Sequence, residues 1–195
     1  MPEQTEIVDP VDGQGLSDPE VWRELKKGDK KALEILVRRH YEDLSRYAIK
    51  FCDNKKLAED SVQDLFLMLW RNRKDLDDVE AVKTYLWRAL RNGIISKLRK
   101  VKRRKKILRR ENAELQPEVK LNVEELIIEQ EIDVQTREEL EKALNQLSSR
   151  QREALYLKFY DGMNYEEIET IMSVSYQTVR NYIHEALSSL KSTLK

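Results

Sequence analysis

Proline occurs at only four positions, Pro2, Pro10, Pro19 and Pro117. Two uninterrupted stretches follow, Glu20 to Gln116 and everything after Pro117. A proline inside a helix costs about 3 kcal/mol, so long proline-free runs rich in Leu, Lys, Glu and Arg favour helix. No alternation of β-branched residues is long enough to build a sheet. The expected fold class is therefore all-α. At 195 residues, 40% hydrophobic and 37% charged, the chain suits two small helical domains with much solvated surface.

Punctuation along the chain divides it. Residues 1–16 are acidic, with Pro and Gly and almost no apolar periodicity, and are expected to be a disordered tail. Residues 17–106 read as one helical domain. Asp18 is placed to cap a first helix, with Pro19 at its first position. Lys30 to Cys52 carries apolar residues at near-helical spacing, Asp53-Asn54 breaks it, and Leu57 to Arg71 forms another helix. Asn72 to Asp78 is a polar loop, and Val79 to about Arg104 is a long helix that tolerates Gly93. Residues 107–134 form a linker. Its centre, Glu111 to Asp133, is an acidic tether that contains Pro117 and little to suggest a core. Residues 135–195 form a second helical domain.

The net charge is zero, and this average hides two blocks. Val82 to Arg110 holds 13 basic residues and no acidic one, while Glu111 to Lys142 holds 11 acids against three bases. Such segregation points to local electrostatic partners. Cys52 is the only cysteine, which excludes an intramolecular disulfide and fits a reducing cytoplasm. Acidic and polar residues follow Met1, unlike a signal peptide. The longest apolar runs, such as Leu65 to Trp70, are too short to span a bilayer, so no membrane insertion is expected. His40, His184 and Cys52 lack metal-ligand spacing. With no nucleophile elbow, phosphate-cradling glycine loop or HExxH, no catalytic residue, metal, cofactor or small-molecule substrate is expected.

Three constellations carry the functional reading. The first lies between Ser148 and Leu190. Ser148-x-x-Gln151 and Asn164-x-x-Glu167 match capping boxes, Asp161-Gly162 is a turn pair, and Ser175 sits at an N-cap. Ile168, Ile171, Met172 and Val174 are expected to face inward with Val179, Ile183, Ala186 and Leu187. Gln177, Arg180, Asn181 and His184 then share an outward face, with Tyr176 and Thr178 at the helix start. Arg, Gln and Asn are side chains that read guanine and adenine edges, so the pattern is that of a helix-turn-helix. The plain alternative is a helical hairpin whose polar face meets only water.

The second constellation is the basic helix. Arg88 to Lys106 spans about 28 Å, and unbroken positive charge along it favours a phosphate backbone. Tyr85 and Trp87 at its start could stack on bases, although burial in the core is the favoured reading. The third is the helix from Leu57 to Arg71. Val62, Leu65, Phe66 and Leu69 form an inward stripe, while Asp60, Gln63, Asp64, Leu67 and Trp70 or Arg71 form another. A mixed apolar and acidic stripe is either a protein-binding surface or ordinary exposed residues.

Taken together, these segments resemble one family. Ala58 to Trp70 (AEDSVQDLFLMLW) resembles the region 2 core-binding helix of bacterial sigma factors of the extracytoplasmic-function (ECF) type, in the sigma-70 superfamily. Thr84 to Lys100 looks like that family's next helix, and Leu147 to Leu155 with the helix-turn-helix looks like region 4. The resemblance covers about Trp22 to Leu190. It implies an alternative sigma factor that binds core RNA polymerase and opens a two-part promoter, with no catalysis of its own. It further implies that Asp60, Gln63, Asp64, Leu67 and Trp70 dock on the β′ clamp helices. The loop Asn72 to Asp78 would hold an extruded base. Arg88, Arg91, Asn92, Lys97, Arg99 and Lys100 would face the −10 element, and Tyr176, Gln177, Thr178, Arg180, Asn181 and His184 the −35 element. The β flap and an anti-sigma factor are implied as further partners. The chain departs from the family at Ser96, Glu169, Ser173 and Glu185, where Asp, Ala, Gly and a basic residue are usual. Two other readings stay open: a stand-alone helix-turn-helix regulator and a helical adaptor.

Overall fold

A computed structural model describes residues 15–52, 54–109, 119–121 and 134–193. The acidic tail up to residue 14, most of the tether and Asp53 lie outside the described residues. Among those described there are helices and connecting turns but no strand.

The first helix, α1 (Asp18–Lys27), is capped by Ser17 rather than by Asp18. Both the amide and the hydroxyl of Ser17 donate to Glu20 Oε2 at 2.7 Å. This reciprocal arrangement satisfies the helix start and releases the Asp18 carboxylate for other work. Asp18 instead accepts from Arg39 Nη1 and pairs with His40 Nε2, each at 2.7 Å. Gly28, at φ 98°, supplies the left-handed residue that closes the helix.

Helix α2 (Lys30–Cys52) buries Ala32, Ile35, Leu36, His40, Leu44, Tyr47, Ala48 and Phe51. Those steps of three and four place one stripe on the core. His40 is thus a core histidine, paired to Asp18 and edge-on to Trp87. Helix α3 (Lys55–Asn72) starts two residues earlier than expected because Asn54 Oδ1 accepts from the Leu57 amide at 2.9 Å. It buries Val62, Leu65, Phe66 and Leu69, the expected stripe. The loop after it is held to α1, where Trp22 Nε1 donates to the Asp77 carbonyl at 2.9 Å and Lys26 pairs with Asp78.

Helix α4 (Val82–Arg109) begins three residues later than expected and runs past Arg104, so residues 107–109 are helix rather than linker. Leu86, Trp87, Leu90 and Ile94 are its buried stripe. Tyr85 packs edge-on to Trp22, so both aromatics at the start of the helix serve the core. The tether also departs from expectation. Val119 and Leu121 are buried, and the Lys120 amide donates to the Lys50 carbonyl at 3.2 Å. Two aliphatic residues in an acidic stretch find cover on the end of α2 that their sequence neighbours do not predict.

The second domain comprises α5 (Val134–Gln146), α6 (Ser149–Leu155), a π-helical turn (Tyr156–Tyr160), α7 (Tyr165–Met172) and α8 (Tyr176–Thr193). Both expected capping boxes form, at Ser148 with Gln151 and at Asn164 with Glu167. Leu140, Leu144, Leu155, Ile168, Ile171, Val179, Ile183 and Leu190 fill the core. Leu187, expected inward, is 44% exposed. The stripe runs Val179, Ile183, Ala186 and Leu190, and residue 187 lies about 100° beyond Ala186 around the helix. Ser173, between α7 and α8, sits at φ 54° and ψ 49°. Glycine takes this left-handed position freely, and a serine holds it at a cost.

Candidate nucleic-acid interface

Helix α8 is built as its sequence suggests. The Thr178 amide donates to Ser175 Oγ at 3.2 Å, capping α8 at its start. Tyr176, Gln177, Arg180, Asn181 and His184 are all exposed, whereas Thr178 is half-buried beside the Ser175 hydroxyl. At 100° per residue, Gln177, Arg180, Asn181 and His184 share one face. Gln177 Nε2 donates to Asn181 Oδ1 at 2.9 Å, which orients the two side chains together. Glu185 is tied back to α6 by Gln151 at 3.0 Å.

The basic helix separates into two populations. Arg88, Asn92, Arg99 and Lys100 are exposed. Lys97 is half-buried and paired at 2.7 Å with Asp64 on α3. This ion pair joins a residue expected at DNA to one expected at polymerase. Arg91, also expected at DNA, is only 3% exposed. Its Nε donates to Glu153 Oε1 at 2.5 Å and its Nη2 to Glu153 Oε2 at 3.2 Å. The expectation that Arg91 faces DNA does not hold in this arrangement, because α6 of the second domain covers it.

That contact belongs to a wider seam between the domains. Tyr47 on α2 donates its hydroxyl to Glu153 at 3.1 Å, and its ring lies 6.1 Å from that of Tyr156. Trp87 Nε1 donates to Asp161 Oδ2 at 2.8 Å, and Lys83 Nζ to the Asp161 carbonyl at 2.9 Å. Thr84 reaches Glu167 on α7 at 3.3 Å. Burial pushes the Glu153 carboxyl above the usual range, opposed by its bonds from Arg91 and Tyr47. Burial likewise pushes Asp161 up to about 6, although the Trp87 hydrogen bond and Lys83 pull the other way. Sequence reading missed Tyr47, Lys83, Glu153 and Asp161 as site residues. One signal was available: Glu153 sits at an inward position beside Ala154 and Leu155, where an acid needs a partner.

The α3 stripe is partly open. Asp60, Gln63 and Asp64 are exposed, and Leu67, one turn beyond Asp64, is 50% exposed. Trp70 is half-buried under the Arg73 guanidinium, which lies 4.2 Å from its ring centre. Leu57, Asp60, Gln63 and Asp64 face Lys97 and Lys100 across an open groove between α3 and α4. Among the described residues no cluster of His, Cys, Asp and Glu could hold a metal, and no helix is long and apolar enough to cross a membrane.

An exposed polar recognition helix, a cationic second helix and an acidic-apolar patch on a third define a two-domain, helix-turn-helix protein of transcription. The sequence comparisons narrow this class. Residues 36–104 match the model of sigma-70 region 2, and residues 137–190 match that of sigma-70 region 4. The chain is 25% identical to RNA polymerase sigma-H factor of Pseudomonas aeruginosa, over 91% of this chain and 94% of that one. It is 26% identical to ECF RNA polymerase sigma-E factor of Escherichia coli, over 92% and 95%. A solved sigma factor RpoE, in complex with the anti-sigma factor NepR from Bartonella quintana, aligns with a TM-score of 0.60. That match has 25% identity and covers 84% of this chain and 97% of that one. CnrH, solved with the cytosolic domain of CnrY, shares the fold with a TM-score of 0.61 and 21% identity, over 91% and 96% of the two chains. The chain belongs to the sigma-70 family and is an alternative sigma factor of the ECF type.

Proposed function

We propose that this sigma factor works through three surfaces. The face of α3 formed by Asp60, Gln63, Asp64 and Leu67, with Trp70 at its end, docks on the β′ clamp helices of core RNA polymerase. A half-exposed leucine beside exposed Gln63 and Asp64 is the chemistry of a protein-binding spot with a polar rim. The exposed side of α4, with Arg88, Asn92, Arg99 and Lys100, meets −10 DNA, and Arg91 and Lys97 join it once their present acid partners are displaced. The loop at residues 72–78, clamped to α1 by Trp22 and Lys26, holds an extruded base. In the second domain, Tyr176, Gln177, Arg180, Asn181 and His184 read −35 DNA in the major groove, and that domain also engages the β flap.

The polymerase supplies all chemistry, and this chain supplies address and strand opening in the cytoplasm. An anti-sigma factor is the expected regulator, supported by the sigma factor RpoE solved in complex with the anti-sigma factor NepR. The observation that carries the reading is the exposed acidic-apolar face of α3 beside a cationic α4, on the same chain as a capped recognition helix. A regulator that binds DNA alone needs no such face.

In-vitro transcription tests it. Purified protein is added to core polymerase with a library of linear genomic templates. Starts that appear only with this chain, sharing an upstream and a downstream motif, are expected. Tight sequence-specific binding by the free protein, with no affinity for core, would instead mark a stand-alone helix-turn-helix regulator.

A further inference from the structure

A cleft of about 530 Å³ lies where α6 and the end of α7 meet α4, and five cations line it: Arg91, Arg99, Lys100, Arg103 and Arg150. Among the described residues no acid lines it. Periodicity sets one wall. Asn92, Ser96, Arg99 and Arg103 follow at steps of four, three and four, so α4 presents them on one face. Arg150, in the first turn of α6, supplies the other wall. Arg91 is already matched by Glu153, which takes its fork at 2.5 and 3.2 Å. The charge of the remaining four has no counterpart within the cleft.

Arg150 gives a second and independent sign. Its Nη1 is buried without a hydrogen-bond partner and lies 3.6 Å from Glu153 Oε2. A buried cationic donor left unmet costs free energy. Both Glu153 oxygens are engaged by Arg91, so an anion entering the cleft is the acceptor this group lacks.

Size and lining select the kind of anion. Pockets for small molecules run from about 300 to 1,000 Å³, and this cleft falls within that range. Guanidinium forks match phosphate oxygens two at a time. A single carboxylate would leave most of the positive charge unanswered, whereas a chain of phosphates answers it. Ile95 and Met172 add an apolar patch to the same cleft, suited to a flat ring.

We infer that this cleft binds a small polyphosphorylated ligand of the nucleoside di- or triphosphate class, its phosphates on Arg99, Lys100, Arg103 and Arg150 and its ring on Ile95 and Met172. Arg99 and Lys100 also belong to the face proposed for −10 DNA, but Arg103, Arg150 and Met172 have no part in that surface. The inference therefore goes beyond the sigma reading and does not rest on it.

Isothermal titration calorimetry of the full chain at physiological ionic strength tests it, with ATP and with inorganic tripolyphosphate as probes. Saturable binding of ATP is expected. Arg103→Glu and Arg150→Glu change one wall each, and each should weaken binding at least about tenfold, the loss for a contact to a charged group. Arg38→Glu makes the same change in net charge at an exposed position on α2, outside the cleft, and should alter affinity less than about twofold. Circular dichroism checks that each variant is folded. If Arg150→Glu does not fold, Arg103→Glu against Arg38→Glu decides. Weaker binding of tripolyphosphate than of ATP supports the ring on Ile95 and Met172, and equal affinity supports a site that reads phosphates alone. Absence of saturable binding by both probes overturns the site, as does an equal loss in all three variants. Saturation by a single-stranded oligonucleotide but by neither probe also overturns it and assigns the cleft to nucleic acid. Core-dependent transcription, measured separately, can fail with ATP binding intact, so the two readings stand or fall apart.

Discussion

Glu153→Ala distinguishes a seam that can part from a core that cannot. Glu153 is 2% exposed and Arg91 3%, and they share two hydrogen bonds of 2.5 and 3.2 Å. Inside a rigid core, deleting one member of such a pair costs about 3–5 kcal/mol, because the orphaned charge stays buried. The Tyr47 hydroxyl would lose its acceptor as well, for about another 1 kcal/mol. Here the orphan has an exit. Arg91 lies on α4 of the first domain and Glu153 on α6 of the second, so parting the domains returns both Arg91 and Tyr47 to water. The penalty then cannot exceed the free energy of closure, and it appears as opening rather than unfolding. Alanine also suits α6 as a helix former. Circular dichroism through a urea titration should give unfolding midpoints for the variant within about 1 kcal/mol of wild type. Scattering should show expansion, and Trp87 fluorescence should shift to the red as its indole N–H leaves Asp161. Loss of 3–5 kcal/mol in one cooperative transition, with dimensions unchanged, would falsify this reasoning and make the seam part of a single core.

Three further outcomes follow from other features. Ser173→Gly should stabilise the second domain by about 0.5–1 kcal/mol in thermal unfolding, since relief of the left-handed strain outweighs glycine's added chain entropy. Closure should strengthen as pH falls. Asp161, which faces Lys83, Arg46 and Asp43 besides Trp87, has its carboxyl at about 6 when buried in the seam, against 3.8 ordinarily. The closed form therefore binds the extra proton, and the closure constant, followed by scattering, should rise about tenfold from pH 7.5 to pH 5. A fall in closure over that range would mean that another group controls it. Leu67→Lys should abolish pull-down of core polymerase while shifting stability by less than about 0.5 kcal/mol, because Leu67 is half exposed and supports no core. Undiminished core binding by this variant would remove α3 from the docking surface.

Local chemistry explains how much of this was legible in advance. Helix starts announce themselves through residues three apart, so Ser148 with Gln151 and Asn164 with Glu167 were readable, and the apolar stripes of α3 and α8 followed from periodicity. The misplaced cap at Asp18 arose within the same logic: two residues in succession could cap, and Glu20 chose Ser17. Leu187 failed differently, because a stripe's edge is decided by how wide the neighbouring helices are, which periodicity does not encode. Val119 and Leu121 lay within an acidic stretch whose average concealed them.

Arg91 shows the deeper reason. Every cation from Val82 to Arg110 looks alike when charge is counted along the chain, because a count cannot tell which side of the helix a second domain will cover. What distinguishes Arg91 is Glu153, 62 residues away, and a fork that meets a carboxylate as readily as a phosphate. Glu153 was itself visible as an acid on an inward face, a placement that is costly unless a cation arrives. Within a domain that cation would have been sought nearby, and Arg150, four-tenths exposed one turn earlier, reaches Glu153 Oε2 only at 3.6 Å, against 2.5 Å for Arg91. The basic helix was the remaining source of positive charge. An inward acid on one domain and a surplus of cations on the other are thus two halves of one signal, legible only when the domains are read against each other.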